Sequence, residues 1–272
     1  DAGPCRLAHA AGECRARAPP SAPFLRAADL RMTKLKNSWY SPRLGHEVSA
    51  TRWGEYGTPV LFFPTAGADA EEVERFQMVQ ALAPLIEQRR IKLYSVDSVS
   101  GKALLSGRSP TDVARVQTQY DAFVYHELVP AIREDCRTPG IEIVVTGPSI
   151  GAFNALSMIC RHPDVFSKAI CMSGTYDITK WMNKEVPSDH YFASPLHFLP
   201  GLGEGEQLAR LRQRFVLLTH GTGRAEEPQQ SWRVADALGK KGVPNRVDVW
   251  DDWAHDWPTW REMLPKYLGE MA

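Results

Sequence analysis

Five consecutive residues, Gly147-Pro148-Ser149-Ile150-Gly151, set a serine between two glycines. The apolar run IEIVVT (141–146) precedes them, and the helix-compatible AFNALSMICRH (152–162) follows. A strand, a sharp turn and a helix in that order lift a serine hydroxyl clear of a sheet, where it can attack an electrophilic carbon. Glycines on both sides suit a turn that neighbouring backbone must approach closely. Such a pentapeptide also occurs as a plain structural turn, so it is the strand-to-helix context that points to a nucleophile.

A serine hydroxyl is almost fully protonated at neutral pH and needs a base within hydrogen-bond reach. In this arrangement the base follows the last strand. There the sequence reads DDWAHDWPTW, which places His255 in a loop before a final helical pattern. The other histidines fit less well. His46 lies on the first strand-like run, His126 inside a helical pattern and His162 near a helix end, while His190 and His197 fall in an irregular segment. His220 ends the run RFVLLT, and a structural hydrogen bond is expected to account for it.

An acid must hold the imidazole tautomer and stabilise the imidazolium that forms. Chain order points to the loop HGTGRAEEPQQSW, whose only acids are Glu226 and Glu227. Glu226 is favoured because Glu227 precedes Pro228, a position that caps the next helix. Asp251 and Asp252 are rivals close to His255, and Asp256 reads as a loop hydrogen-bond acceptor. The negative oxygen of an acyl intermediate needs two backbone donors, one being the N–H of Ile150, just after the nucleophile. The second is expected from Pro64-Thr65-Ala66-Gly67-Ala68, with Ala66 preferred and Thr65 close behind.

The elements that must carry these groups alternate along the chain. Apolar β-type runs occupy 46–53, 59–64, 91–96, 141–146, 168–173, 214–219 and 246–250. Several are continuous rather than alternating, as in strands buried on both faces. Helical patterns lie at 70–88, 110–134, 151–161, 228–240 and 258–270, so an α/β fold is expected, with a mostly parallel central sheet and helices on both faces. The first run, before WGEYGTP, suits an antiparallel edge strand. Residues 176–210 break the rhythm with aromatics, prolines and glycines, and read as a lid-like insertion. Its Trp181, Met182 and Tyr191 are candidate substrate-pocket residues, although packing over the sheet would use the same residue types.

Composition narrows the partners. The 272 residues fit one domain, and 43% hydrophobic with 24% charged residues is ordinary for a globular chain. Lys plus Arg equals Asp plus Glu at 32 each, which gives no electrostatic reason to expect nucleic acid or an anionic membrane. No run approaches the roughly 20 apolar residues of a membrane span. The five cysteines show no metal-ligand spacing, so no metal or cofactor is expected and a reducing, cytoplasmic compartment is the default. Residues 1–31, rich in Ala, Arg and Pro, read as a disordered or non-native extension before a single domain over 32–272.

With these residues placed, the chain resembles the esterase-D-type branch of the α/β-hydrolases, the group of formylglutathione hydrolases, feruloyl and acetyl-xylan esterases and mycolyltransferases. The likeness runs from about Tyr40 to Leu268. It rests on YSPRLG, PVLFFPTAG, YDAFVYHELVPAI, GPSIGAFNAL, RHPDVFSKAICMSGTYDI, the GTGRAEEP turn and HDWPTWREMLPKYL. Many relatives carry two glycines after the nucleophile, where this chain has Gly151-Ala152, and Pro148 before the serine is a second departure. The resemblance implies an α/β-hydrolase fold, Ser149 and His255 as nucleophile and base, and an acid in the GTGRAEE turn. The expected activity is hydrolysis of a small-molecule carboxylic ester without a cofactor. The alternatives are acyl transfer by the same triad, or a catalytically silent binding fold. A homo-oligomer is compatible with the aromatic segment.

Overall fold

In the computed structural model, which describes residues 32–271, the apolar runs assemble into one eight-stranded sheet. Its strands are β1 (Lys34–Ser41), β2 (His46–Trp53), β3 (Thr58–Phe62), β4 (Ile91–Val96), β5 (Ile143–Pro148), β6 (Phe166–Met172), β7 (Phe215–Gly221) and β8 (Asn245–Trp250). The spatial order is β1-β2-β4-β3-β5-β6-β7-β8. β1 pairs antiparallel with β2, and β2 antiparallel with β4, while every other pairing is parallel. The run at 46–53 is therefore antiparallel as expected, but it is not the edge. That place belongs to β1, whose sequence KLKNSWYS has no apolar pattern because most of the strand is exposed.

Eleven α-helices link and cover the strands among the described residues. Before the elbow come α1 (Glu72–Arg75), α2 (Met78–Glu87), α3 (Val99–Leu104), α4 (Pro110–Phe123) and α5 (Val129–Asp135). After it come α6 (Ile150–Arg161), α7 (Ser188–Ala193), α8 (Pro195–Phe198), α9 (Glu206–Leu211), α10 (Pro228–Lys240) and α11 (Trp257–Met271). Two expected helices are each divided. The 70–88 pattern breaks at Gln77, whose φ of 61° is left-handed. The 110–134 pattern passes through one wide π-turn at Val124–Leu128, just ahead of Pro130, which has no N–H to donate to the preceding turn.

Strand periodicity sorts the core into two layers. Val60 and Phe62 of β3 face a cluster with Met78, Val79 and Leu82 of α2 and Met263 and Tyr267 of α11. Leu61 and the following Phe63 face the opposite cluster, built with Tyr120 and Phe123 of α4 and Phe153 and Leu156 of α6. Alternate side chains point to opposite faces, so one short apolar run feeds both layers. The described residues fall in a single compact unit that begins at Met32. The expectation for residues 1–31 lies outside the described residues. Cys136, Cys160 and Cys171 are free thiols. Burial pushes the Cys171 thiol up to about 12, and it raises Cys160 too, so both behave as small apolar side chains.

The 176–210 segment forms short helices on the outside of the sheet. It runs from Thr175, whose N–H donates to Ser149 O (3.2 Å), to Gln207, whose amide donates to Cys160 O (3.0 Å) at the far end of α6. Its helices pack on α4, α6 and α10, burying Met182, Phe198, Leu199 and Leu208. Met182 and Phe198 are buried in this layer, whereas Tyr191 and Phe192 stay exposed.

Two histidines in that layer carry a pH consequence. His190 is 1% exposed, and its ring lies 5.0 Å from that of His197. Burial, helped by His197, pushes His190 down to about 4. In the unfolded chain a histidine takes up its proton near 6.5. Between those values the unfolded state binds the extra proton, so stability is lost as pH falls from about 6.5 to about 4. The slope approaches about 1.4 kcal/mol per pH unit. Thermal unfolding measured across that range should therefore be less steep in His190→Leu than in the wild type. Equal slopes would remove His190 from the account.

Candidate active site

Ser149 sits between the last residue of β5 and the first of α6, with φ 56° and ψ −119°. A non-glycine residue with positive φ is strained, and such strain persists only where surrounding bonds over-determine it. Here they do. Ser149 N–H donates to Met172 O (2.9 Å), and its carbonyl accepts from Ala152 N–H (3.1 Å) and Thr175 N–H (3.2 Å). Pro148 lacks an N–H, but the bond to β6 comes from the next amide, so the turn loses nothing by it.

The flanking glycines are required by the end of β3. A Cβ on Gly147 or Gly151 would overlap the carbonyl oxygen of Phe63. That contact fixes the loop after β3 against the elbow. Gly151→Ala is expected to destabilise the protein by about 3 kcal/mol, at the upper end of overpacking costs, and to lower activity with it. Thermal unfolding checks this, and an unchanged midpoint would contradict the close approach. Ala152, where many relatives have a second glycine, is itself fully buried and is accommodated.

His255 lies in the loop between β8 and α11, and its N–H donates to Arg224 O (3.0 Å). This loop and the one after β7 interlock through backbone. Gly223 N–H donates to Trp253 O (2.8 Å), and Asp252 N–H donates to Thr222 Oγ1 (2.9 Å). Cβ atoms on Gly221 and Gly223 would run into the carbonyls of Trp253 and Asp252. The glycines of the GTG sequence thus let two loops, each carrying an ionisable group, come together.

Glu226 is the group so delivered. Its carboxylate is 2% exposed, with Oε2 3.7 Å from His255 Nδ1. Its other oxygen accepts from Ser173 Oγ (2.5 Å), and Ser173 Oγ accepts from Trp260 Nε1 (2.9 Å). The Trp260 ring also stands edge-on to His255 at 5.2 Å. At 3.7 Å the His255–Glu226 contact is an ion-pair distance, longer than a hydrogen bond. The rival acids lie elsewhere. Glu227 is 54% exposed, bonded to Gln230 (2.9 Å) and Lys180 (3.3 Å), and held below the usual carboxylate range by those contacts. Asp251 and Asp252 are exposed, and Asp256 accepts from Thr259 N–H and Oγ1 at the start of α11.

The candidate backbone donors differ in what they already bond. Ile150 opens α6, so its N–H has no partner within the helix. Thr65 N–H is taken by Glu72 Oε2 (2.9 Å), which leaves Ala66 as the available amide of that pair. The pocket assignments fare differently. Met182 is fully buried and cannot face a substrate in this conformation. Tyr191 lines a cavity of ≈350 Å³ with Arg161, Phe192, Phe198 and Gln207. Arg161 is the last residue of α6, so that cavity lies at the opposite end of the helix from Ser149. Trp181 alone stays beside the acid loop, under Lys180, whose ammonium also meets Glu227.

Sequence reasoning missed three polar contributors: Ser173, Trp260 and Glu72. Ser173 follows β6 with a left-handed φ of 46°, a conformation its residue type does not advertise. His220 corrects another expectation. It is 1% exposed, and neither ring nitrogen has a hydrogen-bond partner among the described residues, so no structural hydrogen bond accounts for it. Burial lowers its pKa, against the opposing charge of Glu226. Among the described residues no group of three or more His, Cys, Asp and Glu side chains is placed to ligate a metal, and no helix is long and apolar enough to cross a membrane.

Solved structures place this geometry in a known fold. A ferulic acid esterase superposes with TM-score 0.67 at 18% identity, over 87% of this chain and 96% of its own. An S-formylglutathione hydrolase of Agrobacterium tumefaciens gives 0.68 at 11% identity, over 87% and 93%. One from Staphylococcus aureus gives 0.60 at 15% identity, over 88% and 96%. No curated protein matches the chain. A family model described as "Putative esterase" matches residues 108–271, more than half of the sequence, and that span holds Ser149, Glu226 and His255. The chain belongs to this esterase family and carries the α/β-hydrolase fold.

Proposed function

We propose that the protein hydrolyses carboxylic esters through an acyl-enzyme on Ser149. His255 takes the proton from Ser149 Oγ as that oxygen adds to the ester carbonyl. Glu226 orients the imidazole through Nδ1 and offsets the positive charge that develops on it. The N–H groups of Ile150 and Ala66 receive the negative oxygen of the tetrahedral intermediate. His255 then returns its proton to the departing alcohol. A water molecule, activated by the same imidazole, releases the acid and restores Ser149.

The observation that carries this reading is the backbone at Ser149. A strained turn held by four main-chain hydrogen bonds at the head of α6 is costly for a purely structural corner. Ser173 and Trp260 supply a second layer of hydrogen bonds that fixes the Glu226 carboxylate, and among the described residues Glu226 has no cation within ion-pair distance besides His255.

The reading is tested with p-nitrophenyl acetate, butyrate and octanoate, extended by a feruloyl ester and S-formylglutathione because those names belong to structural neighbours. Turnover of at least one ester is expected, and the chain-length series then measures the acyl pocket. A folded protein inert on the whole panel would count against hydrolysis.

A further inference from the structure

The turn after β3 is held by a buried acid, Glu72 of α1, that the mechanism does not use. Thr65, Ala66, Gly67 and Ala68 form a β-turn closed by Ala68 N–H to Thr65 O (3.4 Å), with Gly67 at φ 81° in the position that demands a left-handed residue. In such a turn the amide of the second residue takes no part in the closing bond. Here that amide belongs to Ala66, and no hydrogen bond claims it among the described residues. The turn has few ways to swing. Ser98 N–H donates to Ala68 O (3.2 Å), and Asp97 Oδ1 accepts from Ala70 N–H (3.0 Å). At its other end Glu72, 6% exposed, accepts from both Thr65 N–H (2.9 Å) and Thr65 Oγ1 (2.5 Å).

We infer that Glu72 is a positioning residue for the oxyanion hole: by engaging both donors of Thr65 it fixes the turn and takes Thr65 N–H out of competition, leaving the Ala66 amide free to serve as the second donor. This rests on the acyl-enzyme reading above. Three features favour it over a plain loop clamp. A carboxylate buried without an ion-pair partner among the described residues is costly to keep, and burial does raise its pKa. With one oxygen for each donor Glu72 holds the amide and the hydroxyl of Thr65 at once, whereas a glutamine keeps one such oxygen and must turn the Thr65 hydroxyl round to accept from its NH2. Removing Glu72 would also release Thr65 N–H to compete with Ala66 N–H for the same oxygen, which loosens the geometry at the reacting carbonyl.

The prediction is specific to the transition state. In Glu72→Gln and Glu72→Ala, kcat on p-nitrophenyl acetate should fall about 10-fold and about 100-fold respectively, while KM stays within about twofold. Inhibition by phenylboronic acid, whose tetrahedral adduct on serine places a negative oxygen in the same site, should weaken in the same order. Thermal unfolding separates this from a stability effect, and the near-isosteric Glu72→Gln covers the case in which Glu72→Ala does not fold. Unchanged kcat and boronic acid inhibition in folded Glu72→Gln would overturn the inference, as would a loss that follows only the folded fraction. An inert wild type, or a Ser149→Ala variant as active as wild type, would instead sink the acyl-enzyme reading, and this inference with it.

Discussion

Ser149→Ala is expected to lose ester hydrolysis almost entirely, with kcat down on the order of 10⁶-fold, and His255→Ala to lose about as much. The two effects should not multiply, because each group is useless without the other. The turn at Ser149 is held by its own N–H and carbonyl, which alanine retains, so the variant should still fold. What disappears is the hydroxyl alone. Steady-state rates of the two single variants and the double variant check this. A double variant far slower than either single one would mean that the residues act separately.

The second large effect separates two adjacent acids. Glu226→Ala should lower kcat on the order of 10⁴-fold, the scale seen when the acid of a triad is removed alone, while Glu227→Ala stays within a few-fold of wild type. The reasoning is one of burial and partners. Glu226 is 2% exposed and held between Ser173 and His255, whereas Glu227 is 54% exposed and occupied by Lys180 and Gln230. Glu226→Gln makes a useful companion. It keeps the acceptor for Ser173 Oγ but removes the charge that would stabilise an imidazolium, so it should remain folded and still be severely impaired. If Glu227→Ala proved the damaging change, the loop after β7 would have to rearrange before catalysis.

The positions of the proposed nucleophile and base were legible because Ser149 follows the continuous apolar strand β5 and His255 follows β8, the last strand of the sheet. The proposed acid was legible only as a pair. Choosing between Glu226 and Glu227 depends on how the loops after β7 and β8 interlock through Gly221 and Gly223, a contact between segments about thirty residues apart. The edge strand β1 escaped notice because an exposed strand has no reason to be apolar. The break at Gln77 and the wide turn at 124–128 are backbone events that an apolar periodicity does not register. The aromatic segment reads two ways for a related reason. Aromatic side chains suit a substrate pocket and a helical layer equally, and only burial places Met182 in the layer while Tyr191 stays exposed. Ser173 and Glu72 are ordinary polar residues in sequence, and the partners that give them meaning lie seven or more residues away.

The central claim is that Ser149 forms a covalent bond in the reaction, and its most direct measurement is labelling with a fluorophosphonate followed by peptide mass spectrometry. The account predicts one phosphonyl group per chain on the peptide holding Ser149, loss of esterase activity in step with labelling, no adduct in Ser149→Ala and much slower labelling in His255→Ala. An active protein that takes no label, or one labelled at another residue as its activity disappears, would contradict it.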